Sequence, residues 1–292
     1  MTPRPLELLQ RVAPDYGATL IVDPVGGLVG ITVVRAGGAE YAFRLLVSVA
    51  GEHVSVREIA DPGMLPGFCP DRHINGDRSF CLGWGEDNPS RIQDEAAARH
   101  WWATVYQYLT YQIGANARRV FPGAENGRAH GRAAQHQANA EQAAERLGPA
   151  FKADVLAGQF MVRKDSRPQK RRLELWHGKL LLARVSTRTE TLVGRPPVCP
   201  CGRDPDGAIT ACGDHAAALV TFILEQHRCA LADTAFLEDC AAAGARCCGT
   251  LDICGLRSAI KRTQTVSLKT ENSPRARTSK FWRPPAKSKR PR

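Results

Sequence analysis

Aromatic residues make up only 7% of the chain, and nowhere does it run to the ~18 uninterrupted apolar residues that a membrane-crossing helix needs. A membrane partner is therefore not expected. The opening residues Met1-Thr2-Pro3-Arg4-Pro5-Leu6-Glu7 lack the apolar core and small-residue cleavage site of a secretory signal, so the expected location is cytoplasmic. Acidic residues are scarce at the other end. From Arg257 to Arg292 there are twelve Lys or Arg and one acid, Glu271, so this segment carries the whole formal charge of +11 and residues 1–256 sum to zero. A uniformly basic nucleic-acid-binding body is thereby excluded. With Leu268, Phe281 and Trp282 as its few large apolar groups, the 257–292 tail cannot offset its ordering entropy by burial and reads as disordered. Such a tail is solvated, docks to an acidic protein partner, or touches phosphates in a salt-sensitive way.

What is present divides along the chain. Pro5 to Val12 predicts a short leading helix. Three β-rich runs follow, Ala18–Val22, Leu28–Val34 and Tyr41–Ser48, separated by Gly26-Gly27 and Gly37-Gly38, and Val54–Arg57 adds a fourth. Short glycine turns imply an antiparallel meander. The Pro/Gly-rich stretch Asp61–Asp71 has no regular period and reads as an irregular loop. Asp94 then caps a helix marked by Ala98, Trp102, Val105, Leu109 and Ile113 at helical spacing. Further on, Arg132–Leu147 predicts an Ala/Gln/Glu-rich helix with a thin apolar face, suited to bridging two modules. Leu173–Trp176 and Leu180–Val185 predict a hairpin around His177-Gly178, and helical runs are expected at Asp214–Gln226 and Thr234–Ala243.

The stretch that carries chemistry is His73-Ile74-Asn75-Gly76-Asp77-Arg78-Ser79-Phe80-Cys81-Leu82-Gly83-Trp84. Acyl transfer through sulfur requires a thiol nucleophile and a donor for the developing oxyanion, and Cys81 and Asn75 are the residue types for those roles. A cysteine protease would also need a base oriented by a third group. Only His73 is near, and it reads as a structural residue that fixes the loop holding Asn75. Against these readings stand plainer ones: Cys81 as a buried core thiol and Asn75-Gly76 as a tight turn. Cys69 reads as structural, with a redox role left open by its closeness to Cys81.

The segment resembles the active site of ubiquitin-conjugating enzymes, where a His-Pro-Asn tripeptide precedes, after a short loop, an apolar residue, the catalytic Cys and Leu. The corresponding residues here are His73-Ile74-Asn75, Phe80, Cys81 and Leu82. Over about 120 residues the order of elements is also similar: short helix, meander, Pro-rich loop, active-site segment, helix. Ile74 stands where the family has Pro and the Asn-to-Cys interval is short, a divergence that resembles bacterial relatives, some of which carry cysteine-rich extensions. The resemblance implies an α+β fold with a UBC-like antiparallel meander flanked by helices, and a thioester (acyl) transferase. Its nucleophile would be Cys81, with Asn75, His73 and Asp87 around it; Asp87 would desolvate or orient an incoming amine, against the plainer reading of a solvated loop acid. The implied partners are a ubiquitin-like modifier, an activating-enzyme-like protein and an amine-bearing target. Pro291-Arg292 does not resemble the Gly-Gly end of a modifier, so the chain is expected to be the conjugating protein.

Eight of the ten cysteines fall between Cys199 and Cys254. In a reducing compartment such a cluster points to metal more than to disulfides. Cys199-Pro-Cys201 and Cys212-Gly-Asp-His215 give four soft ligands as two local chelates, which suit a structural, tetrahedral zinc with no open position for catalysis. No such assignment follows from spacing for Cys229, Cys240, Cys247, Cys248 and Cys254. The expected organisation is a conjugating domain at 1–122, a helix and β-hairpin connector at 123–195, a cysteine-rich zinc module at 196–256 and the basic tail at 257–292. Two other functions fit parts of the sequence: a non-catalytic UBC-like adaptor, and a zinc-and-tail nucleic-acid binder.

Overall fold

A computed structural model describes residues 4–23, 27–50, 53–59, 63–85, 88–122, 129–203 and 206–262. It is an α+β chain built on two antiparallel sheets. The first part comprises α1 (Pro5–Val12), the strands β1 (Ala18–Val22), β2 (Leu28–Ala36), β3 (Ala39–Ala50) and β4 (His53–Glu58), and the long helix α2 (Glu95–Arg118). The four strands form a meander in the order β1-β2-β3-β4, every pair antiparallel, as the glycine turns imply. Strict alternation decides which face is wet: in β4, Val54, Val56 and Glu58 are buried while His53, Ser55 and Arg57 are exposed.

Helix α2 closes this sheet. Asp94 caps it by accepting from the Ala97 N–H at 2.7 Å, and its buried face includes Ala98, Trp101, Trp102, Val105 and Leu109. These pack with Leu8, Leu9 and Val12 of α1 and with Phe43, Leu45 and Val47 of β3 in one core. The Trp102 indole N–H donates to the Leu9 carbonyl at 2.9 Å, whereas the equally buried Trp101 indole N–H has no partner among the described residues. Between β4 and α2 the irregular Pro/Gly-rich stretch is organised from below. The buried Glu58 carboxylate accepts from the backbone N–H groups of Met64 (3.0 Å) and Leu65 (2.8 Å).

The second part holds α3 (Arg132–Leu147), α4 (Pro149–Leu156), the strands β5 (Phe160–Lys164), β6 (Arg172–His177), β7 (Leu180–Ser186) and β8 (Thr191–Leu192), the long helix α5 (His215–Ala242) and a short helix α6 at 255–262. The hairpin read around His177-Gly178 is present as β6 and β7, inside a four-stranded sheet ordered β5-β6-β7-β8. Three elements differ from the sequence expectation. The helical runs 214–226 and 234–243 are one continuous helix, because Cys229 and Leu231 between them interrupt neither propensity nor hydrogen bonding. The thin alanine face of α3 fills a core: Ala140, Ala143, Ala144 and Leu147 are buried with Leu219, Phe222 and Ile223 of α5 and with Leu173, Leu175 and Val185 of the sheet. Small side chains let the two helices approach closely, so a face with little bulk still makes an interior. A buried Glu225 on α5 fastens them further, accepting from His136 Nδ1 at 2.7 Å and Asn139 Nδ2 at 3.2 Å. Third, residues 257–262, read as the start of a disordered tail, are helical, since Leu256 and Ala259 bury against Leu237 and Cys254. The tail beyond residue 262 lies outside the described residues. No helix among those described is long and apolar enough to cross a membrane.

Candidate functional site

The segment around His73–Cys81 is a small antiparallel ribbon propped on α2. A single turn, Pro70–Arg72, ends in His73 at φ 54°, a left-handed conformation that reverses the chain. Ile74 then pairs with Phe80 and also with Cys69. The hairpin is closed by the Arg78 N–H donating to the Asn75 carbonyl at 3.0 Å and the Asn75 N–H to the Ser79 carbonyl at 2.9 Å. Arg78 also takes a positive φ, 69°, and Asp77 steadies the turn by accepting from the Ser79 N–H (2.9 Å) and hydroxyl (2.6 Å). The Asn75-Gly76 turn reading and the Asn75 site reading thus describe one object. Ile74 and Phe80 are buried, with the Phe80 ring 4.6 Å from that of Tyr108 on α2.

Across this ribbon the Asn75 backbone bonds Ser79 and the Cys81 backbone bonds His73, so Asn75 and Cys81 lie diagonally on either side of the buried Ile74–Phe80 pair. Asn75 is exposed and Cys81 half-buried. The Asn75 Nδ2 donates one hydrogen to Ser79 Oγ at 3.0 Å. An amide nitrogen has two hydrogens, so one is used to aim the group and one is left to donate. The Cys81 backbone N–H donates to the His73 carbonyl at 2.8 Å, which fixes the cysteine across from the histidine's main chain. Burial pushes the Cys81 thiol above its ordinary pKa, against a smaller lowering by the Gly83 backbone.

His73 itself faces elsewhere. Its ring lies 5.6 Å from Phe121 and 5.4 Å from His130, and it lines a cleft of about 680 Å³ that Cys81 does not line. Burial, with His130 adding to it, lowers its pKa to about 4. A neutral, stacked imidazole with so little basicity is an anchor and not a proton acceptor for the thiol. Asp87 lies outside the described residues.

Several supporting residues carry no motif. The buried Arg72 guanidinium donates to Gln112 Oε1 (2.7 Å), the Gln112 carbonyl (3.2 Å) and Thr250 Oγ1 (3.0 Å), while Gln112 Nε2 returns a bond to the Arg72 carbonyl at 2.7 Å. The Tyr108 hydroxyl bonds the carbonyls of both Arg72 and His73 at 3.1 Å. The available signal was Gln112 itself, a polar residue inside the apolar stripe of α2, which must find a partner when buried.

The second constellation gathers Cys199, Cys201, Cys212 and His215, whose ligand atoms all lie within 4.8 Å of one another. Local structure sets this up. Val198 pairs with Ala208, and Cys199 N–H donates to the Gly207 carbonyl at 2.9 Å, closing a hairpin that presents the first two thiols. A turn at Ile209–Ala211 then leads through Cys212 into the start of α5, where His215 sits. Cys199 Sγ is 3.3 Å from Cys201 Sγ and 3.1 Å from His215 Nδ1, and Cys201 Sγ is 3.5 Å from Cys212 Sγ. Tetrahedral zinc with metal–ligand distances of ~2.0–2.3 Å needs donors roughly 3.3–3.8 Å apart. The donor set and spacing are compatible with a metal ion.

Comparison with known proteins agrees with this two-part organisation. Residues 27–123 match the family model described as a prokaryotic E2 domain, and residues 129–256 match the one described as a cysteine-rich domain C-terminal to an E2 domain. No curated protein and no solved structure matches the chain.

Proposed function

We propose that this E2-like chain with a cysteine-rich extension is a conjugating enzyme, which carries a ubiquitin-like modifier as a thioester on Cys81 and transfers it to an amine. The observation that carries the reading is the ribbon of residues 73–81, in which Asn75 and Cys81 flank the buried Ile74–Phe80 pair and the Asn75 amide is held by Ser79. In charging, Cys81 Sγ attacks the thioester carbonyl presented by an activating-enzyme-like protein. The new S–C bond forms as the old one breaks, and the departing thiol takes up a proton. A thiol accepting an already activated acyl group needs no resident base, which fits a site whose histidine is turned away and weakly basic. In discharge the amine of the target attacks the same carbonyl while Asn75 Nδ2 donates to the oxyanion; the C–N bond forms as the C–S bond breaks, and the departing Cys81 thiolate takes up the proton the amine gives up. Asp87 is proposed to orient that amine.

The metal reading is zinc held by Cys199, Cys201, Cys212 and His215, with all four positions filled. Its role is to tie the 197–209 hairpin to the start of α5. The ion supplies folding energy and takes no step in the reaction.

The test is reconstitution with a ubiquitin-like protein, its activating enzyme and a nucleoside triphosphate. A thiol-reducible adduct should form on Cys81 and be lost in Cys81→Ala. Asn75→Ala should still charge but discharge ~10²-fold more slowly. An adduct that persists in Cys81→Ala removes the site assignment. One observation favours a second reading, a partner-binding adaptor: the Cys81 thiol is half-buried and held protonated. Failure of the wild type to charge, while it still binds modifier or activating enzyme, would select that reading.

A further inference from the structure

The loop that leads into the Asn75 turn carries a thiol that the proposed reaction does not use. Cys69 is buried, and its backbone is bonded to Ile74 in both directions, at 3.2 and 3.1 Å, so it is placed as firmly as the turn itself. From 179 residues further along the chain, Cys248 brings its Sγ to 3.2 Å from that of Cys69. A disulfide bond is ~2.05 Å long, so closure asks the two sulfurs to move together by only about 1.2 Å.

The two thiols are unequal. Cys248 is partly exposed, and its sulfur is also 3.1 Å from the Thr250 hydroxyl. The contact with Cys69, the Thr250 hydroxyl and the nearby Arg72 guanidinium together lower its pKa to about 5, against its partial burial. The same contact, with burial, raises Cys69 and keeps it a thiol. An accessible thiolate with a second thiol in contact is the arrangement in which sulfenic acid forms and is resolved as a disulfide. Metal does not account for the pair: among the described residues only the Cys199, Cys201, Cys212 and His215 group brings three or more such donors together.

We propose that Cys248 and Cys69 form a peroxide-reactive dithiol, whose oxidation to a disulfide fastens the cysteine-rich extension to the loop beneath the Asn75–Cys81 turn. The oxidant is a hydroperoxide. The Cys248 thiolate attacks its terminal oxygen, an S–O bond forms as the O–O bond breaks, and the departing oxygen is protonated to water or an alcohol. Sulfur is thereby oxidised to the sulfenic acid. Cys69 Sγ then attacks Cys248 Sγ, the S–S bond forms as the S–O bond breaks, and the hydroxyl leaves as water with the Cys69 proton. One hydroperoxide and two thiols become one disulfide, one water and one water or alcohol. The covalent link joins contacts that already run between these loops, from Arg72 to Thr250 and from the Gly255 N–H to the Asp71 carboxylate at 3.2 Å.

The experiment uses the full, metal-loaded and reduced chain. It is treated with one equivalent of hydrogen peroxide, the remaining thiols are alkylated, and peptides are mapped by mass spectrometry. The expected main product is a Cys69–Cys248 linked peptide that a dithiol reductant reverses. Cys69→Ser should instead accumulate a dimedone-reactive sulfenic acid at Cys248, and Cys248→Ser should give neither product. The wild-type map stands alone if either variant folds poorly. A main product linking Cys247 to Cys254, first oxidation at Cys81, or a second zinc per chain that is lost in Cys248→Ser would each overturn the proposal. None of these readouts depends on thioester formation, so this inference and the conjugation reading fail separately.

Discussion

In residues 4–122 the interior is filled by large side chains, with Trp101, Trp102, Phe43 and Leu109 fully buried between a meander and a 24-residue helix. In residues 129–262 the helix that meets α5 buries five alanines and Leu147, and the strands of the sheet are seven residues or shorter. This second part also gathers three thiols and an imidazole where its hairpin meets α5, a donor set compatible with a metal ion. The ribbon of residues 73–81 lies where the two parts touch, through the Arg72–Thr250 and Cys69–Cys248 contacts.

The contrast predicts opposite sensitivities. The largest effect belongs to the ligand cluster. Cys212→Ser should lose the metal and cost several kcal/mol, a fraction of the ~10–16 kcal/mol that zinc supplies to isolated fingers. Metal analysis and melting with and without chelator check it, and an unchanged melting curve for metal-free protein would end the idea that chelation holds this part. Next comes Trp102→Ala, expected to cost about 3–5 kcal/mol in the first part through a cavity and the lost bond to Leu9, with metal content unchanged. If it released the metal as well, the two parts would be one cooperative unit.

A third effect is about 3 kcal/mol and is set by pH. His73 has a pKa near 4 when folded and 6.5 as its ordinary value. Between those values the unfolded chain binds the proton and the folded one does not, so stability is full above pH 6.5 and falls as pH drops toward 4. Denaturant unfolding at pH 7 and pH 5 should show about 2 kcal/mol of this loss, and His73→Phe should flatten it; an equal slope in the variant would deny His73 its anchoring place. The smallest effect tests the junction. Thr250→Val keeps the shape but strips Arg72 of one acceptor and should cost about 1–3 kcal/mol. Hydrogen exchange should rise in residues 69–81 of this variant; exchange confined to the extension would mean that Thr250 does not support the ribbon.

Much of this was legible along the chain because the signals are local. The meander follows from alternating β-branched runs broken by glycines, and the cap of α2 from Asp94. The four cluster ligands come as two close pairs, so each chelate is nearly made before the chain folds. The turn at Asn75 is equally local, since all its hydrogen bonds lie within five residues.

Contacts between distant residues had no such signal. Amino-acid order alone determines which segments are strands, where helices begin and which side chains can bind metal, because these depend on φ/ψ preference, period and short-range chelation. Tertiary structure decides that His73 turns from Cys81 toward His130, that Gln112 and Thr250 share the Arg72 guanidinium, and that Cys69 meets a cysteine 179 positions away. Helices of the second part show the same division. The alanine stripe of α3 is visible in sequence, but whether it faces water or a second helix depends on α5 arriving beside it. The helix at 255–262 is stable only because Leu237 and Cys254 are there to be covered. Burial is a property of neighbours, and a sequence read by itself names the residues that want them without saying which they will get.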